Sequence, residues 1–289
     1  MAGSRTDRTG RTSSTGFTLI ELLVVIAIIA LLMSILMPAL SRVKKQAQMV
    51  ACMSNLKSWG LLFKLYTDDY EGYFNEGFGY NDHHGQSNEL GLWMNALRPY
   101  YNDEWDLLKC PTATRPVEGP GDWGTFKAWV RTNQANRYPK PGEGSTIDFT
   151  ASYGINSWTN YMISSRGHRP VDNFWKSTQN VPNPSTVPLF GDSTWNDAWP
   201  WSHDEPIEQP LDFHWGSPGT SGEMNHFCLD RHNGFMNMTF VDWSVQKVGL
   251  KELWTLKWHR AYDVTGPWTR AGGVAPTDWP QWLRKYKDY

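Results

Sequence analysis

The chain has 289 residues, of which 27 are basic and 29 acidic, so its formal charge is −2 at neutral pH. This balance argues against nucleic acid as a partner, because nucleic-acid binding favours a strongly basic face. No internal repeat is visible, and the most informative feature is one long apolar run near the N-terminus.

The first 16 residues form a short polar segment that resembles a leader. It carries three arginines and one aspartate, and its removal would leave 24 basic and 28 acidic side chains, a charge of −4. Residues 17–40 are mostly apolar and, as a helix, would extend about 36 Å, enough to cross a hydrocarbon core of about 30 Å. The run is longer than a secretory signal and passes into a basic stretch without a small-residue cleavage site, so we expect a membrane anchor.

Glu21 is the one acidic residue in this apolar run. A carboxylate well inside a membrane span costs on the order of 2.5 to 3.5 kcal/mol and usually has a partner. Cleavage between Gly16 and Phe17 would create a charged α-amino group one helical turn before Glu21. The amine of the same chain or of a neighbouring chain would then pair with the carboxylate. In the second case the ion pair would align subunits in a low-dielectric filament core.

The sequence 16–21, Gly-Phe-Thr-Leu-Ile-Glu, followed by an apolar helix resembles the cleavage and methylation motif of type IV pilins and type II secretion pseudopilins. The resemblance implies that a prepilin peptidase cuts after Gly16 and methylates Phe17, and that Glu21 supports assembly. It also implies that the leader faces the cytoplasm and that the rest of the chain lies outside. Pro38 fits the proline of many pilins at that depth, or an ordinary helix kink near the membrane surface.

The helix is predicted to continue well beyond the membrane span and to end near residue 68, where Asp68, Asp69 and Gly72 follow. We therefore divide the chain into a leader over 1–16, a helix over 17–70 with its span at 17–40, and a head over 71–289. The apolar positions of the later helix recur near a 3.6-residue period. They are Val43, Ala47, Val50, Met53 or Ser54, Lys57 or Ser58, Leu61 or Leu62, and Leu65.

The head is rich in Pro and Gly and has few long periodic runs, which indicates many loops. Candidate strands are Phe235–Val241 and Val245–Val248. Candidate helices are Glu89–Tyr101, Leu250–Tyr262 and a short terminal one that carries Trp279, Trp282, Leu283 and Tyr286 on one side. These elements predict an α+β fold, in which a long N-terminal transmembrane and assembly helix precedes a pilin-like head with an antiparallel sheet and long loop insertions.

The stretches 52–74, 97–111 and 152–158 resemble large pilin-like proteins of planctomycete-type bacteria. The stretch 231–248 resembles that group's processing-associated motif, with His232, nine residues and then Asp242. The group normally has Gly after the Asp, whereas this chain has Trp243. Because Asp-Gly supports a tight turn with positive φ, which Trp adopts poorly, we expect a longer Asp-Trp-Ser loop or another turn type.

Three cysteines occur, and Cys52 and Cys110 would both lie outside the cytoplasm, where disulfides persist. We expect them to pair and to tie the head to the long helix, which would constrain the unfolded chain by about 4 kcal/mol. The alternative is two separate buried thiols. Cys228 is the odd cysteine, and no C-x-x-C pair indicates redox work or zinc.

Seventeen tryptophans are unusual for a chain of this length. Trp195, Trp199 and Trp201 lie among carboxylates and invite a carbohydrate-binding interpretation, since flat indole faces stack on sugar rings. The alternative is that they fill the core and anchor loops. Exposure of the three as a flat patch would favour the first interpretation, and burial would remove its main support.

No recognised catalytic spacing is present, so we expect no enzyme and no cofactor. Asp192 with Asp197 offers oxygen ligands for a structural calcium ion, which stays an open alternative. His232 and Asp242 at the two ends of a strand are more often turn and cap residues than metal ligands.

Two functions of different classes follow from these observations. The first is a structural subunit, processed after Gly16 and assembled through its N-terminal helix into a pilus or a type II secretion pseudopilus. Its partners would be a prepilin peptidase, like or related subunits and the cytoplasmic membrane. The second is a membrane-tethered surface protein with a Trp-rich carbohydrate-binding head. Glu21 favours the first, because a mere tether has no need of it.

Overall fold

The computed structural model describes residues 18–77, 92–117, 122–133, 147–165, 168–209, 213–214 and 222–289. Gly16 and Phe17, the predicted cleavage and methylation positions, lie outside the described residues. Contacts divide the chain into two units, residues 1–45 and 46–289.

Helix α1, Leu19–Asp69, is a single helix of 51 residues that includes Pro38. By length and composition it can cross a membrane, and none of its most apolar stretch is buried. The predicted end near residue 68 is confirmed. The chain leaves the helix through left-handed conformations at Glu71 and Gly72, with φ of 54° and 86°, which is a common way for a helix to terminate.

The later part of α1 packs on the head through a face that the sequence did not reveal. Its buried residues are Cys52, Leu56, Trp59, Gly60, Phe63, Tyr66 and Thr67. Val50, Leu61 and Leu65 are 50–56% exposed. At 3.6 residues per turn the two sets lie on opposite sides of the helix. Both satisfy helical periodicity, and the set with the larger aromatic side chains is the one that the head buries.

The central sheet has five strands in the order β10-β9-β6-β5-β7. Adjacent strands in this sheet run antiparallel, except that β5 and β7 run parallel to each other. Smaller sheets join β1-β3-β4 and β2-β8. The antiparallel sheet and the long helix confirm the predicted α+β fold. The strands are β1 Arg115–Pro116, β2 Asp122–Trp123, β3 Lys127–Asn133, β4 Ile147–Ala151, β5 Tyr153–Asn156, β6 Pro188–Asp192, β7 Asp197–Ala198, β8 Phe213–His214, β9 Phe235–Phe240 and β10 Val245–Gly249.

Helical structure in the described part of the head is short. Within the predicted helix 89–101, the described residues form two four-residue helices, α2 Trp93–Ala96 and α3 Arg98–Tyr101, separated by Leu97. The remainder is 3-10 turns at Trp105–Leu108, Ser157–Thr159, Val171–Asn173, Thr178–Asn180, Pro184–Thr186, Glu223–His226 and Lys251–Thr255.

The predicted helix Leu250–Tyr262 is wrong beyond its first turn. A 3-10 helix covers Lys251–Thr255, and irregular turns follow. The backbone N–H groups of Lys257 and Arg260 donate to the distant carbonyls of Thr186 and Asn173. These long-range bonds replace helical ones, although Trp254 and Trp258 are buried, as their spacing indicated.

The predicted C-terminal helix is also wrong. Residues 276–285 form successive turns, and the guanidinium of Arg284 donates to the carbonyls of Trp279 and Thr277 at 2.8 and 2.9 Å. Trp279 and Leu283 are nonetheless buried. The periodic positions therefore predicted the packed side but not the backbone conformation.

The hairpin β9–β10 confirms the two predicted strands to within one residue. Its loop places Trp243 in the left-handed region with φ of 68°. The Trp243 N–H donates to the Phe240 carbonyl, and the Phe240 N–H donates to the Ser244 carbonyl. This is a turn followed by a left-handed residue, a position that usually holds Gly. Trp therefore adopts the conformation that we expected it to avoid.

Two side chains hold that loop in place. The Asp242 carboxylate accepts hydrogen bonds from the backbone N–H and the hydroxyl of Ser244, at 3.0 and 2.6 Å. The ammonium of Lys57 on α1 donates to the Trp243 carbonyl at 2.9 Å. Beside it, Gly60 allows the hairpin to approach the helix, since an added Cβ would lie 3.0 Å from the Thr239 methyl group.

Aromatic side chains fill most of the core. Among the described residues, seven tryptophans are less than 2% exposed: Trp59, Trp93, Trp129, Trp158, Trp254, Trp258 and Trp279. Six of their indole N–H groups donate to carbonyls, which avoids the cost of desolvating an unpaired donor. For these residues the core-filling interpretation is confirmed.

Candidate functional site

Two places in the described chain combine unusual chemistry with defined geometry. The first is the start of α1, around Thr18 and Glu21. The second is a group of polar and sulfur side chains inside the head, Cys52, Cys110, Asp192 and His232, which we call the buried cluster.

At the start of α1, Thr18 and Glu21 bond reciprocally. The Glu21 oxygen Oε2 accepts from the Thr18 backbone N–H at 2.8 Å and from its hydroxyl at 2.7 Å. The Thr18 hydroxyl oxygen accepts from the Glu21 N–H at 3.2 Å. This arrangement is a capping box, which satisfies backbone donors that a helix N-terminus leaves unpaired. The spacing Thr-x-x-Glu predicts such a cap, but we interpreted Glu21 only as a partner for an amine.

The buried cluster unites four segments that are distant in the sequence. Cys52 lies on α1, Cys110 follows the turn Trp105–Leu108, Asp192 ends β6, and His232 precedes β9. All four side chains are buried, and one sulfur, nitrogen or oxygen atom from each lies within 4.8 Å of the others. Among the described residues, this is the one group of at least three potential metal ligands so close together.

The individual distances define a compact arrangement. His232 Nε2 lies 3.2 Å from Asp192 Oδ2 and 3.5 Å from the Cys110 sulfur. The Cys52 sulfur lies 3.6 Å from Asp192 Oδ2. The four atoms therefore converge on one point inside the protein.

Arg231 contacts the cluster, although the sequence analysis did not identify it as a site residue. Its guanidinium is fully buried and pairs with Asp192 Oδ1 at 3.2 Å. It also donates to the carbonyls of Thr125, Ser152 and Ser193 at 2.6, 2.5 and 2.9 Å. A buried ion pair is tolerated when such bonds satisfy its remaining donors. No spacing in the sequence links Arg231 to Asp192, because β6 and the loop before β9 meet only in the fold.

Hydrogen-bond donors also face three side chains of the cluster. The Tyr153 hydroxyl donates to the Cys52 sulfur at 3.4 Å, and the Thr112 hydroxyl lies 3.0 Å from the Cys110 sulfur. The Asn237 backbone N–H donates to Asp192 Oδ2 at 3.3 Å. Nδ1 of His232 has no hydrogen-bond partner among the described residues.

Burial and contacts among the cluster's own side chains shift the pKa values of Asp192, His232 and Cys110. Burial alone would raise the pKa of Asp192, but the charges and hydrogen bonds of His232 and Arg231 hold it below its usual value. Burial lowers the pKa of His232, whereas the Asp192 carboxylate raises it by more, to about 10. Burial raises the pKa of Cys110, and hydrogen bonds from Cys52 and His232 reverse this and bring it to about 6.

The predicted disulfide is not present in the structure, where Cys52, Cys110 and Cys228 are all free and buried. Cys52 and Cys110 are thus two unbonded buried thiols, as in the alternative, and they lie in one cluster. Cys228 is elsewhere in the core, and burial raises its thiol pKa. The sequence analysis brought Cys52 and Cys110 together as a pair, but did not associate them with His232 or Asp192.

Asp192 and Asp197 do not share a common ligand environment. Asp192 belongs to the buried cluster, whereas the carboxylate of Asp197 accepts from the Ser157 hydroxyl at 3.3 Å and the Asn196 amide at 2.8 Å. His232 and Asp242 are likewise separated. The first lies in the cluster, and the second holds the hairpin loop at the far end of β9.

The three tryptophans considered for sugar binding do not form a flat exposed patch. Trp199 is 8% exposed and is covered by the Arg169 guanidinium, 3.9 Å from its ring centroid. Trp195 and Trp201 are partly buried against the core. Trp201 borders a surface cleft of about 560 Å³ that is also lined by His168, His203, Asp204, Glu205, Gly222 and Glu223.

Comparison with protein families matched residues 11–37 to the prokaryotic N-terminal methylation motif. Together with the long apolar helix, this match supports a type IV pilin-like protein. The matched residues include Gly16, Phe17, Thr18 and Glu21 and end just before Pro38, so they contain the capping box. By length and composition, the helix that begins within this motif can anchor the chain in a membrane. Comparisons with curated proteins and with solved structures gave no match.

Proposed function

We propose that the chain is a prepilin-type structural subunit. A prepilin peptidase cuts after Gly16 and methylates Phe17, residues 17–40 anchor the product, and α1 assembles with like or related subunits into a pilus or a type II secretion pseudopilus. The observation that carries the proposal is the methylation motif at residues 11–37, with Glu21 at its expected place on a long apolar helix.

The geometry of Glu21 supports a role in assembly beyond its local cap. Both bonds from Thr18 go to Oε2, and Oε1 has no hydrogen-bond partner among the described residues. The carboxylate is exposed at the helix N-terminus, and one oxygen can therefore accept an amine while the other keeps the cap. In a membrane or filament core, the charged amine of Phe17 on a neighbouring subunit would be strongly attracted to it.

The unburied side of α1 supports lateral packing between subunits. Val50, Leu61 and Leu65 stand on the face opposite the head, each at least half-exposed. Apolar area removed from water contributes roughly 25 cal/mol per Å². A second subunit laid along this face would bury side chains that the chain's own head leaves in solvent.

Placement and activity follow from the same proposal. The anchor is a single pass in the cytoplasmic membrane with the head outside, and the protein is not an enzyme. Basic residues flank the apolar run on both sides, so their distribution does not orient it. Protease treatment of spheroplasts should digest the head without lysis, and protection of the head would contradict the orientation.

The deciding experiment compares Glu21→Gln with Glu21→Ala in cells that express the processing peptidase. Gln keeps an oxygen that accepts both Thr18 donors but carries no charge, whereas Ala loses the cap as well. We expect both variants to insert in the membrane and both to be missing from sheared filaments. Normal assembly of Glu21→Gln would show that charge pairing is not required.

Processing is tested independently of assembly. Mass determination of the mature N-terminus should give a chain that begins with methylated Phe17. Replacing Gly16 with a larger residue should leave the leader attached. A native chain that still begins at Met1, or a processed chain from the Gly16 variant, would overturn the proposal.

A further inference from the structure

We propose that Cys52, Cys110, Asp192 and His232 bind one zinc ion as a structural site inside the head. The inference does not depend on the proposed assembly role, because it concerns how the head itself is held together. It rests on the convergence of four ligand-type side chains from four separate segments.

Three of the six separations between ligand atoms match those that a tetrahedral zinc ion imposes, and the other three are within 4.8 Å. With Zn–S of about 2.3 Å and Zn–N or Zn–O of about 2.0–2.1 Å, neighbouring ligand atoms lie about 3.3 Å apart for N–O and about 3.5 Å for S–N and S–O. The corresponding separations here are 3.2 Å for His232–Asp192, 3.5 Å for Cys110–His232 and 3.6 Å for Cys52–Asp192.

Ligand chemistry selects the metal. Two thiolates and an imidazole are soft or borderline ligands that favour zinc, whereas calcium and magnesium take oxygen ligands. Four protein ligands complete a tetrahedron and leave no open position for a substrate, and all four side chains are buried. This is the pattern of a structural zinc site, not a catalytic one.

The charges around the ion would balance. Two thiolates and the Asp192 carboxylate contribute three negative charges, which the zinc ion and the Arg231 guanidinium offset, with His232 neutral. The Arg231 guanidinium pairs with the Asp192 carboxylate, with Oδ1 at 3.2 Å. A fully buried site of this composition therefore carries no net charge, as burial requires.

Outer hydrogen bonds would orient three of the four ligands. Tyr153 donates to Cys52 and the Asn237 N–H to Asp192, while the Thr112 hydroxyl lies beside Cys110. Such partners stabilise and tune metal sites.

A route for the ion also exists, because Cys110 lines a surface cleft of about 500 Å³ together with Ala51, Asn55, Glu104, Asp106, Leu107, Lys109, Pro111 and Thr114.

The main competitor is a Cys52–Cys110 disulfide. The same two sulfurs cannot be bonded to each other and also act as two separate thiolate ligands, so the two states are distinguishable by chemistry. The experiment uses the full-length mature protein, purified in detergent without chelator or reductant. Zinc is quantified by elemental mass spectrometry, and free thiols are counted by alkylation after denaturation.

We expect about one zinc per chain and three alkylated thiols. Cobalt substitution should give the thiolate-to-metal absorption of a tetrahedral site. Cys52→Ser and Cys110→Ser should each reduce bound zinc at least about tenfold, while the matched control Cys228→Ser, another buried cysteine outside the cluster, should retain it. Thr112→Val should weaken zinc binding about 10- to 100-fold.

Two results would overturn the site. One is a single free thiol with no bound metal, which indicates the disulfide. The other is stoichiometric zinc that survives in the Cys52→Ser and Cys110→Ser variants, which places the ion elsewhere. The first result is measured on the unmodified protein and therefore does not depend on whether a variant folds.

Discussion

The Glu21 carboxylate and the Thr18 hydroxyl close a reciprocal pair of hydrogen bonds at the first turn of α1, with Glu21 Oε2 accepting from Thr18 at 2.8 and 2.7 Å. A residue that the motif associates with assembly is thus also part of the helix's own N-terminal cap. The two roles use different properties of one side chain, since the cap requires an acceptor and the ion pair requires a charge.

Thr18→Ala should loosen this first turn. Loss of an N-cap hydroxyl costs about 1 kcal/mol, roughly a fivefold change in an opening equilibrium. We expect the Glu21 amide to exchange its hydrogen about five times faster in detergent-solubilised protein. Thr18→Ser keeps the hydroxyl and should exchange like the wild type. Equal protection in Thr18→Ala would mean that the hydroxyl is not the cap that stabilises this turn.

Arg231→Met should be strongly destabilising. It leaves Asp192 without its buried cation and frees the carbonyls of Ser152 and Ser193, and breaking a buried pair costs about 3–5 kcal/mol. Urea unfolding of the full chain, followed by tryptophan fluorescence, measures the loss. Arg270 is exposed, and Arg270→Met should change stability by less than about 0.5 kcal/mol. A similarly small effect at Arg231 would contradict the role given to this pair.

The hairpin loop gives a test of backbone strain at Trp243. Trp243→Gly and Trp243→Ala both remove the indole, but only Ala keeps a Cβ at φ of 68°. We expect the Gly variant to be the more stable of the two by about 1 kcal/mol. Thermal unfolding of the pair measures this difference without the contribution of indole packing. Greater stability of the Ala variant would indicate that the loop changes its conformation when the indole is lost.

Asp204 predicts a pH dependence of stability. Burial raises its pKa to about 7 from a reference of 3.8, although the backbone N–H groups of Trp201 and Met224 lower it in part. The folded state then binds a proton more tightly than the unfolded chain between these values. The free energy of unfolding should therefore fall as pH rises through about 4–7, by at most about 1.4 kcal/mol per pH unit.

Asp204→Asn provides the comparison, because the amide cannot ionise. Urea unfolding of both proteins is measured at pH 5, 6, 7 and 8. The difference in the free energy of unfolding cancels the contribution of every other titrating group. We expect the wild type to lose stability relative to the variant as pH rises. A constant difference across this range would show that Asp204 keeps an ordinary pKa.

How far the sequence predicts the molecule depends on the range of the interactions involved. The apolar helix, its end near Asp69 and the β9–β10 hairpin are governed by local patterns, and all three were predictable. The segments after Leu250 and Asp278 carried helical spacing but form turns, because their backbone groups bond to Thr186, Asn173 and the side chain of Arg284. Spacing alone does not reveal such distant partners.

The buried cluster shows the same limit. Cys52, Cys110 and His232 could be selected by residue type, and Asp192 was noted only as an oxygen ligand. Their meeting depends on the order of strands in the central sheet and on the face that α1 turns toward the head. That face was not evident, because the stripe with Val50 and the stripe with Trp59 have the same period.

The dense indole packing gives the head an optical signature of its own. Trp59 lies edge-on to Trp93 at 5.0 Å, and Trp93 lies edge-on to Trp129 at 6.4 Å between ring centroids. At these distances the excited states of neighbouring indoles couple with each other. The near-ultraviolet circular dichroism of the protein therefore reports the tertiary order of the head. Far-ultraviolet signal comes mainly from α1, and the two spectral regions therefore follow the melting of head and helix separately in a single sample.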